Sequence, residues 1–427
     1  MQPLPPGSLV NATPAPPAAT PVPVETATPV PSASPSGAAS ATPAPAATPP
    51  LADARLRVPQ GFVANVVANV GGARELAALP NGDMIVGTTG AHVMVVPNAE
   101  AAGVAAAPAA FASLPDGPAQ GVAFGSGFVF VATQHHVYRI PYTTGAQSGT
   151  ATQIASVRSG PVAPNSDGDV HDTSSIAVSG GTLYVGVASS CNACVEADPT
   201  RATVQRMALD GSGMTTQATR LRNALALATD PASGNVWAGG AGQDALPAGH
   251  PYEFLDPVSA HGAPADYGWP DCEENHVAYR SGANCANTVA PALVFPAYST
   301  LIGAAFSPVS QSGAYAFPPA WRGGLFVSMH GSWHLANGIP IVPPHVAFVP
   351  FSGAAPARTV SWGDPTTQWS DFFSGFQDAS GRRIGRATGV AVGAQGSLFV
   401  ADDDTGNIYR IRPSGSSGSA VKRAKPT

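Results

Sequence analysis

Residues 386–412 read RATGVAVGAQGSLFVADDDTGNIYRIR. An apolar strand opens on a single Arg, turns through AQGS, and returns as an apolar strand that ends in small residues. A polar turn follows, and NIYRIR alternates apolar and polar side chains as a third strand does. The same signature recurs upstream: residues 73–97 read ARELAALPNGDMIVGTTGAHVMVVP and residues 119–141 read AQGVAFGSGFVFVATQHHVYRIP. Residues 171–207, 222–255 and 301–351 carry it again, as SSIAVSGGTLYVGVASS, RNALALATDPASGNVWAGGAG and LIGAAFSP with GGLFVSMHGS. Repeats spaced about 40–50 residues apart, with insertions, are how propeller blades look in sequence. A β-sandwich would not repeat one strand–turn–strand signature this often, so the expectation is all-β: a six-bladed β-propeller.

Composition agrees. The 427 residues include 47 glycines and 44 prolines, and only 11% are charged. This suits many short strands joined by tight turns rather than helical bundles, which need charged outer faces. The net charge is −6, with no basic block before the last few residues, which argues against a nucleic-acid partner. No stretch reaches the roughly 20 apolar residues of a membrane helix, and the N-terminus lacks the charged-then-apolar pattern of a signal peptide.

Three regions follow. Residues 1–50 hold 15 of the prolines and one charged residue, Glu25; such a segment buries too little apolar surface to offset its ordering entropy and is read as a disordered Pro/Ala/Thr-rich tail. Residues 51–412 are the propeller, and residues 413–427 a flexible C-terminal tail. The four cysteines are Cys191, Cys194, Cys272 and Cys285. No second pair at zinc spacing accompanies the CNAC unit, and no His follows it. Two local disulfides, Cys191–Cys194 and Cys272–Cys285, are the simplest account, and they place the chain in an oxidising compartment, secreted or periplasmic.

In a propeller, loops from every blade converge at the channel mouth, which is the default ligand pocket. The residue at the entry to each first strand is polar in nearly every unit: Arg74, Gln120, His171, Arg222 with Asn223, Ser299 with Thr300, and Arg386. Arginines there carry a desolvation penalty unless they meet an anion. Taken as a set they suit a flat polyanionic ligand, with guanidinium forks gripping carboxylates.

RNALALATDPASGNVW with ADYGWP downstream, SSCNAC, FVSMHGSW and RATGVAVGAQGSLFVADDDTGNIYRI together resemble signature stretches of the glucose/sorbosone dehydrogenase family, over roughly residues 55–412. These are six-bladed propellers that use pyrroloquinoline quinone and calcium. The resemblance implies a sugar substrate, an external electron acceptor and oxidation of an aldose or related sugar at C1 by hydride transfer to the quinone. It also implies roles. His171 matches the general base on the anomeric hydroxyl. Arg222 and Asn223 match an Arg-Asn pair at the quinone. Gln120 and Arg386 fall at further cofactor contacts, and His330 falls near a basic one. Tyr298 or Phe295 falls where a ring packs on the quinone. The carbonyls of Gly242 and Gln243 match the calcium positions, and Asp244 adds a carboxylate. The chain departs from the pattern at Ser174, where many members carry Arg; in QDALPAGHPYEFLD after Gly242, where acids are usual; and at His334-Leu335 after Trp333, where Asn-Arg is usual. Each departure removes charge near the mouth.

The alternative reading is a non-catalytic sugar- or protein-binding propeller with a decayed cofactor site. A metal-dependent lactonase-type propeller would need carboxylates aimed into the channel. The sequence offers few: Asp169 and Asp172 near His171, and Asp402 to Asp404, which read as a blade turn.

Overall fold

The computed structural model describes residues 47–158, 171–172 and 174–415. The rest of the expected N-terminal tail, and the C-terminal tail from residue 416, lie outside the described residues. Among the described residues there is no α-helix, only two short 3₁₀ turns at Val258–Ala260 and Pro319–Trp321, and no helix is long and apolar enough to cross a membrane.

The strands form six antiparallel blades. Blade 1 runs outward through Ala73–Ala78, Met84–Thr88, His92–Val96 and Ala109–Ser113; blade 2 through Gly121–Gly125, Phe128–Ala132, His136–Pro141 and Thr152–Ser156. Blade 3 has Ser174–Ser179, Thr182–Val187, Thr203–Ala208 and Thr215–Thr219, with Ala265–Asp266 added in parallel. Blade 4 has Ala224–Thr229, Val236–Gly240, Glu253–Asp256 and Leu293–Phe295. Blade 5 has Leu301–Ser307, Gly324–Met329, His345–Ser352 and Ser370–Phe373. Blade 6 has Ala387–Val392, Leu398–Asp402 and Asn407–Pro413, and takes its outermost strand, Phe62–Asn69, from the start of the fold. The expected six-bladed propeller is therefore the fold. The innermost strands touch in a closed circuit, each packed against the next and blade 6 against blade 1.

Alternation along each strand explains why the runs are apolar on both sides. In blade 2, Val129 and Val131 pack with blade 1 residues such as Ile85 and Val93, while Phe130 and Ala132 pack with Leu183 and Val185 of blade 3. Six such clusters occupy the six blade–blade interfaces. A strand buried on both faces reads as a near-continuous apolar run, as FVFVA and TLYVGV do. The innermost strands also approach one another closely: a side chain at Gly121 would meet the Ser174 carbonyl at 2.5 Å, and one at Gly389 would collide with the backbone of Arg74.

The seam between blades 6 and 1 carries a polar latch. Arg410, fully buried, donates from Nη1 to the carbonyls of Ala99 (2.8 Å) and Ala101 (2.6 Å). Arg412 donates to Glu100 O (2.6 Å) and lies 3.3 Å over the Tyr315 ring. The Glu100 carboxylate accepts the backbone N–H groups of Gln395 and Ser397, both at 2.9 Å. The chain ahead of the closing strand is already anchored, since Asn65 donates to Pro49 O and Val104 N–H to Ala47 O. Both expected disulfides, Cys191–Cys194 and Cys272–Cys285, are formed.

Replacing Arg410 with Met would leave the Ala99 carbonyl buried without a donor and leave Ala101 O with Arg412 Nη1 alone, at 3.0 Å. Arg410→Met should lower unfolding stability by about 2–4 kcal/mol, measured as the shift in a denaturant midpoint. An unmoved midpoint would show that strand pairing alone closes the ring.

Candidate functional site

Because neighbouring strands are antiparallel, the entry to each innermost strand and the turn between the second and third strands share one rim. Apart from Phe295, the site residues expected from the sequence lie on those connections: Gln120, His171, Arg222, Asn223, Tyr298 and Arg386 at or before innermost strands, and Gly242, Gln243, Asp244 and His330 on second-to-third turns. The channel beyond them is lined by apolar residues of all six innermost strands, among them Leu76, Val122, Ile176 and Val390, around a cavity of about 270 Å³.

Two charged clusters build the rim. In the first, Asp403 accepts from Arg74 Nη1 (2.7 Å) and from His330 Nε2 (2.9 Å). Arg386 donates to the carbonyls of His330 and Gly331, both at 3.2 Å. Burial works against the Asp403 charge, but the bonds from His330 and Arg74 outweigh it and hold the carboxyl down at about 2. Burial also pushes His330 down to about 4 despite Asp403, so near neutral pH it is a neutral imidazole donating through Nε2. Burial, then repulsion from Arg383, brings Arg386 down to about 10.

In the second cluster, Asp244 receives Arg222 Nη2 (3.1 Å) and His334 Nε2 (2.7 Å) on its two oxygens. His334 is stacked between Tyr298 and Trp333, each ring centroid 3.9 Å away. Tyr298 holds φ 65°, a sparsely populated conformation for a residue with a Cβ and one that collects at ligand sites. Behind this cluster lie the buried acids Glu253 and Glu273. Burial raises Glu253 far above the carboxylate range and Glu273 to about 8, with Arg222 opposing both. The segment His330–His334 joins the clusters, with His330 in the first and His334 in the second.

His171 meets the second cluster through Ser189. Its Nδ1 lies 2.8 Å from Ser189 Oγ and 3.2 Å from Ser189 O. Ser189 Oγ gives its own proton to Cys191 O (2.9 Å), and a carbonyl can only accept, so both contacts assign the proton to Nδ1. Nε2 is then the basic nitrogen. The Ser189 N–H in turn donates to Arg222 O (2.9 Å).

Gln120 joins neither cluster through its side chain. Its Nε2 and the Arg74 Nε are buried donors without a partner among the described residues, as is Ser174 Oγ. The three occupy the same position in the innermost strands of blades 1, 2 and 3, two residues before Leu76, Val122 and Ile176. Phe295 is not a site residue: it is fully buried between blades 4 and 5 against Leu301 and Leu325. Asp172 is exposed, and Asp169 lies outside the described residues.

Asp403 was hidden by the turn reading of ADDDTG. The turn is real, since Asp402 Oδ1 accepts the N–H groups of Arg386, Asp404 and Thr405, but it serves to aim Asp403 at the rim. Asn192 was hidden inside CNAC; its contacts with Arg222 and Asp244 span 30 and 52 residues.

Residues 269–414 match the model of the family described as TrAA12-like. A comparison with curated proteins finds no match. Among solved structures, the chain is similar to the holo form of the pyranose dehydrogenase PQQ domain from Coprinopsis cinerea, with 16% identity, TM-score 0.67, and 86% of this chain and 98% of that one covered. It is similar to the calcium structure of the Trichoderma reesei carbohydrate-active enzyme of family AA12, with 17% identity, TM-score 0.68, and the same 86% and 98% covered. It is also similar to the PQQ-bound aldose sugar dehydrogenase from Streptomyces coelicolor, with 18% identity, TM-score 0.55, and 83% and 99% covered. At these identities the likeness establishes the fold. The family match carries the sequence resemblance across the last third of the chain.

One acid on the rim makes a measurable claim. Glu75 follows Arg74 in blade 1; its Oε1 is buried without a partner, and burial raises the carboxyl to about 8. The folded chain thus keeps a proton that the unfolded chain releases at about pH 4.3. Stability should fall as pH rises between about 5 and 8, with this group contributing a slope of about 1.4 kcal/mol per pH unit. Glu75→Gln should flatten the dependence and raise the melting midpoint at pH 8. Parallel curves for the two proteins would contradict the assignment.

Proposed function

We propose that the chain is a quinone-dependent sugar dehydrogenase, oxidising an aldose or related sugar at C1 with pyrroloquinoline quinone and calcium and passing the electrons to an external acceptor. The observation that carries this reading is the pair of unpartnered buried donors, Gln120 Nε2 and Arg74 Nε, on a rim that also holds Arg222 and Arg386. A fold keeps buried donors unsatisfied at a cost of roughly 1–3 kcal/mol each, and a planar tricarboxylate would satisfy them. The similar structures whose titles name PQQ or calcium support the choice of ligand.

The residues fit the group. Arg74, Gln120, Arg222, Asn223 and Arg386 supply hydrogen-bond donors for its carboxylates, and neutral His330 stands beside them. Tyr298 offers a ring whose one face is already set by His334. The carbonyl oxygens of Gly242 and Gln243 accept no hydrogen bond among the described residues and suit a hard cation. Both oxygens of the Asp244 carboxylate are engaged by Arg222 and His334, so its part is to orient those two side chains. When bound, the quinone supplies the hydride acceptor, which calcium polarises. His171, with its proton on Nδ1, takes the anomeric hydroxyl proton at Nε2. Ser189 fixes that tautomer.

Reconstitution with calcium and the quinone, read by absorbance and by dye-coupled oxidation of aldoses, tests the reading. His171→Ala should lower turnover on the order of 10²–10⁴-fold and leave quinone uptake intact. Unchanged turnover would clear His171 of the role. Wild-type protein that takes up no quinone with calcium present would overturn the enzyme reading in favour of a sugar- or protein-binding propeller.

A further inference from the structure

Asn192, the second residue of the CNAC disulfide loop, is the point at which the second cluster is tied together. Its side-chain amide pairs with both backbone groups of Asp244: Oδ1 accepts the Asp244 N–H at 2.7 Å, and Nδ2 donates to Asp244 O at 3.1 Å. The same Oδ1 accepts from Arg222 Nη2 at 3.0 Å. The Asn192 carbonyl accepts from Arg222 Nε (3.0 Å) and from Trp269 Nε1 (3.1 Å). One residue of blade 3 thus fixes the Arg222 guanidinium and the end of the Gly242–Asp244 segment of blade 4. Its place is set by its neighbours. Cys191 and Cys194 are disulfide-bonded, Cys191 is buried, and the Cys191 carbonyl accepts from Ser189 Oγ, the group that holds His171.

Resting on the function proposed above, we infer that Asn192 is a positioning residue for the calcium and quinone site, and that the Cys191–Cys194 disulfide holds it in place. The two-point amide pairing fixes the backbone at residue 244, and with it the neighbouring carbonyls of Gly242 and Gln243. An outer partner that orients ligands in this way typically changes metal affinity by about 10–100-fold when removed.

The test uses the full chain, with Asn192→Ala and, separately, Cys191→Ser together with Cys194→Ser. Amide hydrogen exchange of apo protein reads the clamp without any ligand. The Asp244 N–H should exchange about tenfold faster in Asn192→Ala, and faster again than wild type in the double cysteine variant. Calorimetric titration of calcium, in the presence of pyrroloquinoline quinone, should show affinity lowered at least tenfold in both variants. At saturating calcium and quinone, the KM for sugar should stay near the wild-type value. Unchanged exchange at Asp244 in Asn192→Ala would overturn the clamp. Faster exchange with unchanged calcium affinity would overturn the positioning role. A double cysteine variant matching wild type in both measurements would overturn the disulfide's part. Wild-type protein that binds no quinone would take the positioning role down with the proposed function, and faster exchange at Asp244 in Asn192→Ala would then mark the clamp as structural only.

Discussion

Every blade of this protein is apolar on both faces, and that constraint organises the rest. A sheet that must bury both faces needs a neighbour on each side, and a row of such sheets has no end that satisfies the requirement. Closing the row into a ring removes the ends. The closing strand, Phe62–Asn69, completes blade 6 from the opposite end of the fold, and Arg410, Arg412 and Glu100 bind the seam with hydrogen bonds to loop backbone. Closure also settles where a ligand site must be. Six strand entries and six second-to-third turns are brought to one rim around one axis, whatever residues they carry.

The rim is electrostatically expensive, and its design shows how the expense is met. Arg74, Arg222 and Arg386 all sit at or beside innermost strands, where water is scarce. Arg74 is answered by Asp403, Arg222 by Asp244 and Asn192, and Arg386 by backbone carbonyls of the His330–Gly331 segment. Asp403, Asn192 and the His330–Gly331 carbonyls each come from a blade other than that of the arginine they meet, so these bonds also staple adjacent loops together, whereas Asp244 meets Arg222 within blade 4. Hydrogen bonding on the rim is incomplete, however. Gln120 Nε2 and Arg74 Nε keep no partner among the described residues. Tyr298 holds a left-handed backbone conformation, and two acids behind Arg222 are pushed above the carboxylate range. Unsatisfied donors and backbone strain together on one rim are the usual sign that a site is organised for a ligand rather than for stability.

The departures from the family pattern read differently once their contacts are known. His334 stands where Asn is usual, yet it links the Tyr298 and Trp333 rings to Asp244. The acid-poor stretch after Gly242 retains Asp244, and two buried acids, Glu253 and Glu273, lie close behind it. Ser174 puts a small hydroxyl at the position that carries Arg74 and Gln120 in the two preceding blades.

The all-β class, the blade count and the order of the blades were legible in the sequence, because hydrogen-bonded hairpins and two-faced burial write a local signature: an apolar run, a Gly turn, an apolar run. Strand-entry residues such as Arg222 and His171 were legible for the same reason, since entry to a strand is a local property. Contacts between blades were not. Asp403 reads as one of three turn aspartates, and only its position opposite Arg74, 329 residues away, makes it a site residue. Asn192 reads as filler between two cysteines until Arg222 and Asp244 are seen around it. Phe295 and Tyr298 are equivalent candidates three residues apart, and packing alone sends one into the core and the other to the rim. Sequence by itself determined which segments become strands and where loops must fall. Which side chains meet across the channel mouth was decided only by tertiary structure, because ring closure joins residues that no local pattern connects.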